Sequence, residues 1–284
     1  MIFLKKLKTH IRIKKRLKFV NKIFAEQTLE VYQKHDMLKL LDCINTNFNT
    51  PNTISCLDIG ASANEINFIS NYVKSVTGIN ISENYLKSDY LHKNVKIMIM
   101  DGRQLDFPDS SFDFVYSINL FEHIHDISNS IDEQLRVVNK DGYCFATWYP
   151  TWSSSKGHHV MEAMVKNWEK EASIETQNYV NNGSIIEDWG HLLYTKVEMQ
   201  NKLSKVLKNE KITHIINNFI YDSQELNRLF FDDFLKILQS KKLEIITIKK
   251  QQEIPPKGIQ EKLEKLHGKK DFSTQGCEII FKKI

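Results

Sequence analysis

Residues 53–65 read TISCLDIG followed by ASANE: an apolar run, an acid at Asp58, a glycine at Gly60, then small residues and Glu65. This is the pattern of a buried strand that ends in a tight turn with a helix behind it. In α/β proteins the carboxyl edge of the first strand is where a nucleotide-like ligand is held. A second acid–glycine pair, Asp101-Gly102, ends the apolar run VKIMIM. Histidine is the third source of chemistry. Of the ten histidines, His123, His125, His158, His159 and His191 fall in three short stretches. Imidazole can take a proton near neutral pH or ligate a metal. The Gly157-His158-His159 and Asp188-Trp189-Gly190-His191 stretches lack the HxxxH or HxH spacing of a firm ligand set, so no metal site is expected there.

These residues need elements to position them. Helical periodicity runs from Asn21 to Phe48 and is broken at Pro51-Asn52. The first strand follows at Ile54–Ile59. A capping-box pattern at Ser62–Glu65 starts a helix that runs to about Tyr72. Strands are expected at 75–80, 95–100 and 112–118, with a helix at 81–91. The third strand, nearly all apolar, is expected to be buried on both faces. A helix at 127–139 leads to a fifth strand at 143–148. Strand–helix alternation with short links is the mark of a parallel doubly wound sheet. After Trp148 the rhythm breaks for about 70 residues rich in Trp, His and Tyr. Helices are expected there from His159 to about Ala172 and from Thr195, behind a second capping box. A helix at 223–240, a strand at 243–248, a charged helix at 259–266 and a last strand at 277–281 complete the chain. The expectation is an α/β domain over 51–284, with a helical cap inserted at about 149–220 after strand five.

The order of these pieces resembles the class I S-adenosylmethionine-dependent methyltransferases, in particular the ubiquinone-biosynthesis-like group. Four stretches carry the resemblance: LDIGASA (57–63), VTGINIS (76–82), MDGRQLDFPDSSFDFVYSINLFEHIHD (100–126) and LRVVNKDGY (135–143). It implies a Rossmann-like, seven-stranded, mostly parallel sheet with helices on both faces. It also implies S-adenosyl-L-methionine as cofactor, with binding residues Asp58, Gly60, Ala61, Ser62, Asn80, Ile81, Asp101, Gly102 and Asn119. Gly60 lets the backbone approach the cofactor, and Asp58 holds its amino-acid end. Asp101 accepts from the adenine amino group. Two positions depart from the family pattern. Ala61, Ser62 and Asn64 stand where small residues and glycines are usual, and Asn80 stands where an acid usually meets the ribose. An amide gives up charge assistance and with it roughly half of that bond's strength. A non-catalytic member of the fold with weakened cofactor binding is thus one alternative.

Methyl transfer needs alignment of the reactants, and a base if the acceptor is a hydroxyl. His159, His191 and His123 are the candidates for that role, and structural hydrogen bonding is the competing role for the same side chains. The Gly157–His159 and Asp188–Tyr194 segments look like those of methyltransferases from bacterial surface-polysaccharide clusters. This favours a small polar acceptor such as a glycan precursor. Trp148, Trp152, Trp189 and Tyr194 suit either a sugar-stacking wall or the core of the cap.

Residues 1–22 hold nine Lys/Arg and no acid, which leaves 30 basic against 35 acidic residues elsewhere. Confinement of the positive charge to one end argues against a nucleic-acid substrate. The segment suits an arm resting on an anionic membrane, or a solvated helix. The first reading would go with a lipid or quinone acceptor. The four scattered cysteines read as free thiols of a reducing cytoplasm.

Overall fold

A computed structural model describes residues 29–160 and 185–284, together with Val165, Trp168 and Lys170. The basic segment 1–22 and most of the helix expected from His159 lie outside the described residues.

In chain order the main elements are α1 (Val31–Asn47), β1 (Ser55–Ile59), α2 (Ala63–Ile69), β2 (Ser75–Asn80), α3 (Glu83–Leu86), β3 (Val95–Ile99), β4 (Phe112–Ser117), α4 (Ile127–Val137), β5 (Val138–Trp148), α5 (Gly190–Leu193), α6 (Lys196–Leu207), α7 (Glu210–Tyr221), α8 (Phe231–Gln239), β6 (Leu243–Gln252), α9 (Lys257–His267) and β7 (Thr274–Lys283). Short 3-10 turns cover Pro51–Thr53 and Phe121–His123. The seven strands form one sheet in the order β3-β2-β1-β4-β5-β7-β6. The β3–β2, β2–β1, β1–β4 and β4–β5 pairings are all parallel. The expected Rossmann-like sheet is therefore present.

The chain divides into two compact units. The first takes in the described residues up to Ile118, Ile131–Ala146 and Ile280–Ile284; the second takes in Asn119–Ser130 and Thr147–Ile279. In the first, Met37, Leu40, Leu41 and Ile44 recur at helical spacing on α1 and are all buried. They belong to one core with Cys56, Ile66 and Phe114. The loop between β3 and β4 is held by Arg136 of α4. Its guanidinium donates to the Leu105 and Phe107 carbonyls and pairs with Glu133 and Asp109. In the second unit, α6 and α7 share a core with Trp152, Trp189 and Phe272. The capping box expected at Thr195 forms. Thr195 Oγ1 accepts from the Glu198 amide at 3.3 Å, and the Glu198 carboxylate accepts from the Thr195 amide at 2.8 Å.

Several local expectations are corrected. β3 is an edge strand rather than one buried on both faces; Met98 and Ile99 are exposed because β2 covers only one side and α3 is a single turn. The helix expected over 81–91 shrinks to α3. The capping box expected at Ser62 does not form: the Ser62 side chain accepts from no helix N–H, and its hydroxyl donates to the Glu65 carboxylate at 2.6 Å. The helix expected from Ser223 starts only at Phe231. Ahead of it, Arg228 is left-handed (φ 53°) and the Asn227 amide is committed to the Phe121 and Ile124 carbonyls.

The close packing of β2 on the β1–α2 turn depends on Gly78. A Cβ there would lie 2.8 Å from the Ala61 Cβ and 3.0 Å from Ile66 Cδ1. Gly78→Ala should lower stability by about 1–3 kcal/mol through overpacking. Denaturant unfolding measures this, and an unchanged midpoint would show that the turn is not tightly seated.

Candidate functional site

The end of β1 places Asp58 in the middle of three strands. In register it lies beside Gly78 on β2 and Tyr116 on β4. Asp58 is only 3% exposed. Burial raises its pKa well above the ordinary carboxyl value; the nearby Glu65 carboxylate adds to the rise, and the Tyr116 hydroxyl pulls the other way. Glu65 is raised as well, chiefly by burial. The first unit thus holds a pair of acids that resist ionising together.

The turn after β1 is pinned to β2. The Gly60 and Ala61 amides both donate to the Ile79 carbonyl at 2.9 Å. Gly60 takes φ +85°, a backbone state in which a side chain is strained, which accounts for glycine here. Ala61 is buried, with its Cβ facing Gly78. Asn80 closes the same loop: its Nδ2 donates to the Ala61 carbonyl at 3.1 Å, and its Oδ1 accepts from the Ser82 amide at 3.0 Å. Only an amide can do both, since an aspartate has no donor. The two departures from the family pattern are therefore coupled, with Asn80 bracing the loop that Ala61 occupies. One N–H and one lone pair of the amide remain for a ligand.

The Met100 amide donates to the Asn80 carbonyl at 3.1 Å, which sets Asp101-Gly102 next to the end of β2. Asp101 is chelated by Arg103, whose amide donates to Oδ1 at 2.9 Å and whose guanidinium reaches Oδ2 at 2.6 Å. These bonds hold the Asp101 carboxyl below its ordinary pKa. Ile81 presents an apolar side chain that is 74% exposed. Asn119, in the second unit, is left-handed (φ 46°). Its amide donates to the Thr147 carbonyl, and its side-chain oxygen accepts from the Thr147 hydroxyl.

His123, His158, His159 and His191 form a connected set within the second unit. His123 and His159 stack edge to face with ring centroids 5.4 Å apart. His191 stands 4.5 Å from the Trp152 ring and 5.6 Å from the His158 ring, near enough for its charge to act on His159. Burial lowers the pKa of His159 to about 3 and that of His191 to about 4, each partly offset by a carbonyl that accepts from the ring. Those carbonyls belong to Gly157 for His159 Nδ1 (2.8 Å) and to Trp152 for His191 Nε2 (2.7 Å). Such rings stay neutral at physiological pH and are weak bases. His123 is exposed and its pKa is lowered less far; its Nδ1 donates to the Glu225 carbonyl at 2.6 Å. His125 instead reaches the Gln224 carbonyl. Trp148, Trp152 and Trp189 are all buried, so of the four aromatics named as a sugar wall only Tyr194 keeps an open edge.

Sequence reasoning overlooked Arg103, Tyr116 and the chemistry of Glu122. Arg103 sits two residues from Asp101, a readable spacing. The others become visible only through strand register and tertiary approach.

Residues 57–146 match the family described as a methyltransferase domain. No curated protein matches the chain. Among solved structures, a candidate S-adenosylmethionine-dependent methyltransferase from Listeria monocytogenes superposes with a TM-score of 0.50 at 10% identity, covering 86% of this chain and 97% of its own. An S-adenosylmethionine-dependent methyltransferase from Mesorhizobium loti gives 0.49 at 9% identity, covering 85% and 96%. The Listeria structure supports the fold, and the domain match supplies the activity class. The protein is a methyltransferase, and its cofactor is S-adenosylmethionine. The β1–β2 edge fits that cofactor: a buried acid pair disfavours its own negative charge, which a cationic ammonium group relieves.

Replacing Asn80 by the family's acid tests the loop brace. Asn80→Asp should cost about 1–3 kcal/mol, because the Ala61 carbonyl loses its donor and meets a carboxylate. Thermal unfolding reads the change, and a neutral or stabilising result would refute the brace.

Proposed function

We propose that the protein transfers the methyl group of S-adenosylmethionine to a hydroxyl of a small polar acceptor, a sugar or other precursor of a surface glycan. The cofactor, when bound, supplies the methyl electrophile. The observation that carries the reading is the His123–His159 pair, in which each Nδ1 donates to a backbone carbonyl and leaves Nε2 with a lone pair. Such nitrogens can accept the proton or hydrogen bond of a hydroxyl acceptor. His123, the more exposed and more basic of the two, is assigned the proton. His159 orients the acceptor, because a ring with its pKa near 3 takes up little proton at neutral pH. His191 is assigned a structural role, its ring fixed between Trp152 and His158. The glycan assignment rests on the likeness of the Gly157–His159 and Asp188–Tyr194 segments to those of surface-polysaccharide methyltransferases.

In unit one, Asp58 is assigned the cofactor's ammonium group, Asp101 its adenine and the remaining valences of Asn80 its ribose. A cytoplasmic setting follows from such a substrate, and the four buried free cysteines accord with it. Among the described residues no helix is long and apolar enough to cross a membrane.

Incubating the protein with methyl-labelled S-adenosylmethionine and separate pools of sugar nucleotides, free sugars, quinols and phospholipids tests the assignment. Label should enter a sugar pool. His123→Ala should lower kcat about 10²–10⁴-fold while leaving cofactor affinity unchanged. Transfer confined to quinol or lipid would overturn the acceptor class.

A further inference from the structure

The polar cluster that holds His123 and His159 also holds Glu122. One ligand atom from each of the three lies within 4.8 Å of the other two. Residues 122 and 123 come from the 3-10 turn Phe121–His123, and His159 from the segment after β5. That separation in sequence is why no spacing rule detects the set.

The two imidazoles are already arranged as ligands. A carbonyl oxygen only accepts, so each Nδ1 carries the proton and each Nε2 carries the lone pair. Metal-bound histidines characteristically donate their other ring N–H to a carbonyl or carboxylate, which fixes tautomer and ring orientation. His159 is 8% exposed, and its Nε2 is buried with no hydrogen-bond partner. A buried nitrogen without a partner is costly unless something fills the position. Glu122, 3% exposed, contributes a carboxylate beside them.

The turn carrying Glu122 and His123 is anchored by Asn227, whose backbone amide donates to the Glu122 carbonyl and whose side chain donates to those of Phe121 and Ile124. On the other side, Gly157 packs against the Thr151 and Trp152 carbonyls so tightly that a Cβ would lie 2.3 Å from the latter. This seats the Gly157 carbonyl that receives His159 Nδ1. Both halves of the cluster are therefore anchored through backbone groups, and the two imidazoles are held through Nδ1.

We propose that Glu122, His123 and His159 bind one divalent first-row transition-metal ion, with Zn²⁺ as the reference ion. Two imidazole nitrogens and one carboxylate suit zinc, iron or manganese better than calcium or magnesium, which take oxygen ligands. Three protein ligands leave a coordination position open, as in catalytic rather than closed structural sites. With the ion bound, an acceptor hydroxyl at the open position would be acidified by it; the proton role assigned to His123 above belongs to the ion-free protein. The binding claim stands apart from the acceptor assignment, because it is read without any methyl acceptor.

The full-length protein, stripped with a chelator and dialysed, is titrated with Zn²⁺ against a chromophoric competitor and with Co²⁺ by visible absorption. One ion per chain should bind, and the cobalt form should show ligand-field bands. Glu122→Gln and His159→Asn should each weaken binding by at least the ~10–100-fold that loss of an outer-shell partner costs. Asparagine is chosen at 159 because that residue is left-handed (φ 56°), a state asparagine tolerates. His125→Ala, whose ring lies on the Gln224 carbonyl, should bind as the wild type does. If His159→Asn fails to fold, Glu122→Gln decides alone. Absence of stoichiometric binding, or equal binding by the wild type and the two ligand variants, would overturn the site.

Discussion

The first unit depends on an acid placed where an acid is least stable. Asp58 ends the central strand with Gly78 on one side and Tyr116 on the other, almost wholly out of water. A carboxylate in that position lacks the solvation that would hold its charge, and Glu65 nearby makes ionisation harder still. The surrounding parts are built to keep it there. Gly78 lets the β1–α2 turn close down, Gly60 supplies the left-handed step, and Asn80 ties the loop from the far side. A cationic ligand beside it would relieve this unfavourable position, in keeping with the ammonium role proposed for Asp58.

The second unit uses burial in the opposite sense. Its imidazoles are driven toward the neutral form, so that lone pairs rather than positive charges are what they present. Desolvation does most of this, and carbonyl acceptors fix which nitrogen carries the proton. Weak basicity and good ligand character are two aspects of the same environment: protons are refused while a lone pair stays available. The sign for stability follows. Below an unfolded pKa of about 6.5 the unfolded chain takes up protons that the folded one refuses until about pH 4 at His191, so this ring contributes stability above that window and loses it on acidification.

Much of the fold was legible because each sheet strand is a short apolar run closed by turn residues. All seven strands and the β1–turn–α2 unit lie where the pattern puts them, with ends shifted by a few residues. The errors share a cause. VKIMIM reads as doubly buried, but composition does not say which strand is at the edge. Ser62 and Glu65 have the capping-box spacing, yet the two side chains bond each other instead of the backbone. Residues 223–230 are helical in period, but Asn227 is drawn away by carbonyls about a hundred residues earlier in the chain. The candidate site was legible in part. Asp58, Gly60 and Asp101 stand out because an acid or glycine ends an apolar run. The bracing role of Asn80 and the meeting of Glu122, His123 and His159 arise from tertiary approach, which no local pattern encodes.

The most direct test of the account is calorimetry of S-adenosylmethionine binding in buffers of differing ionisation enthalpy. If a cation settles beside Asp58, its raised pKa falls on binding. Protons should then be released to the buffer, and affinity should rise with pH through the raised pKa. Asp58→Asn should remove both the release and the pH dependence. Proton release equal to zero in the wild type, or unchanged in Asp58→Asn, would contradict the claim that this buried acid is the cofactor's charge partner.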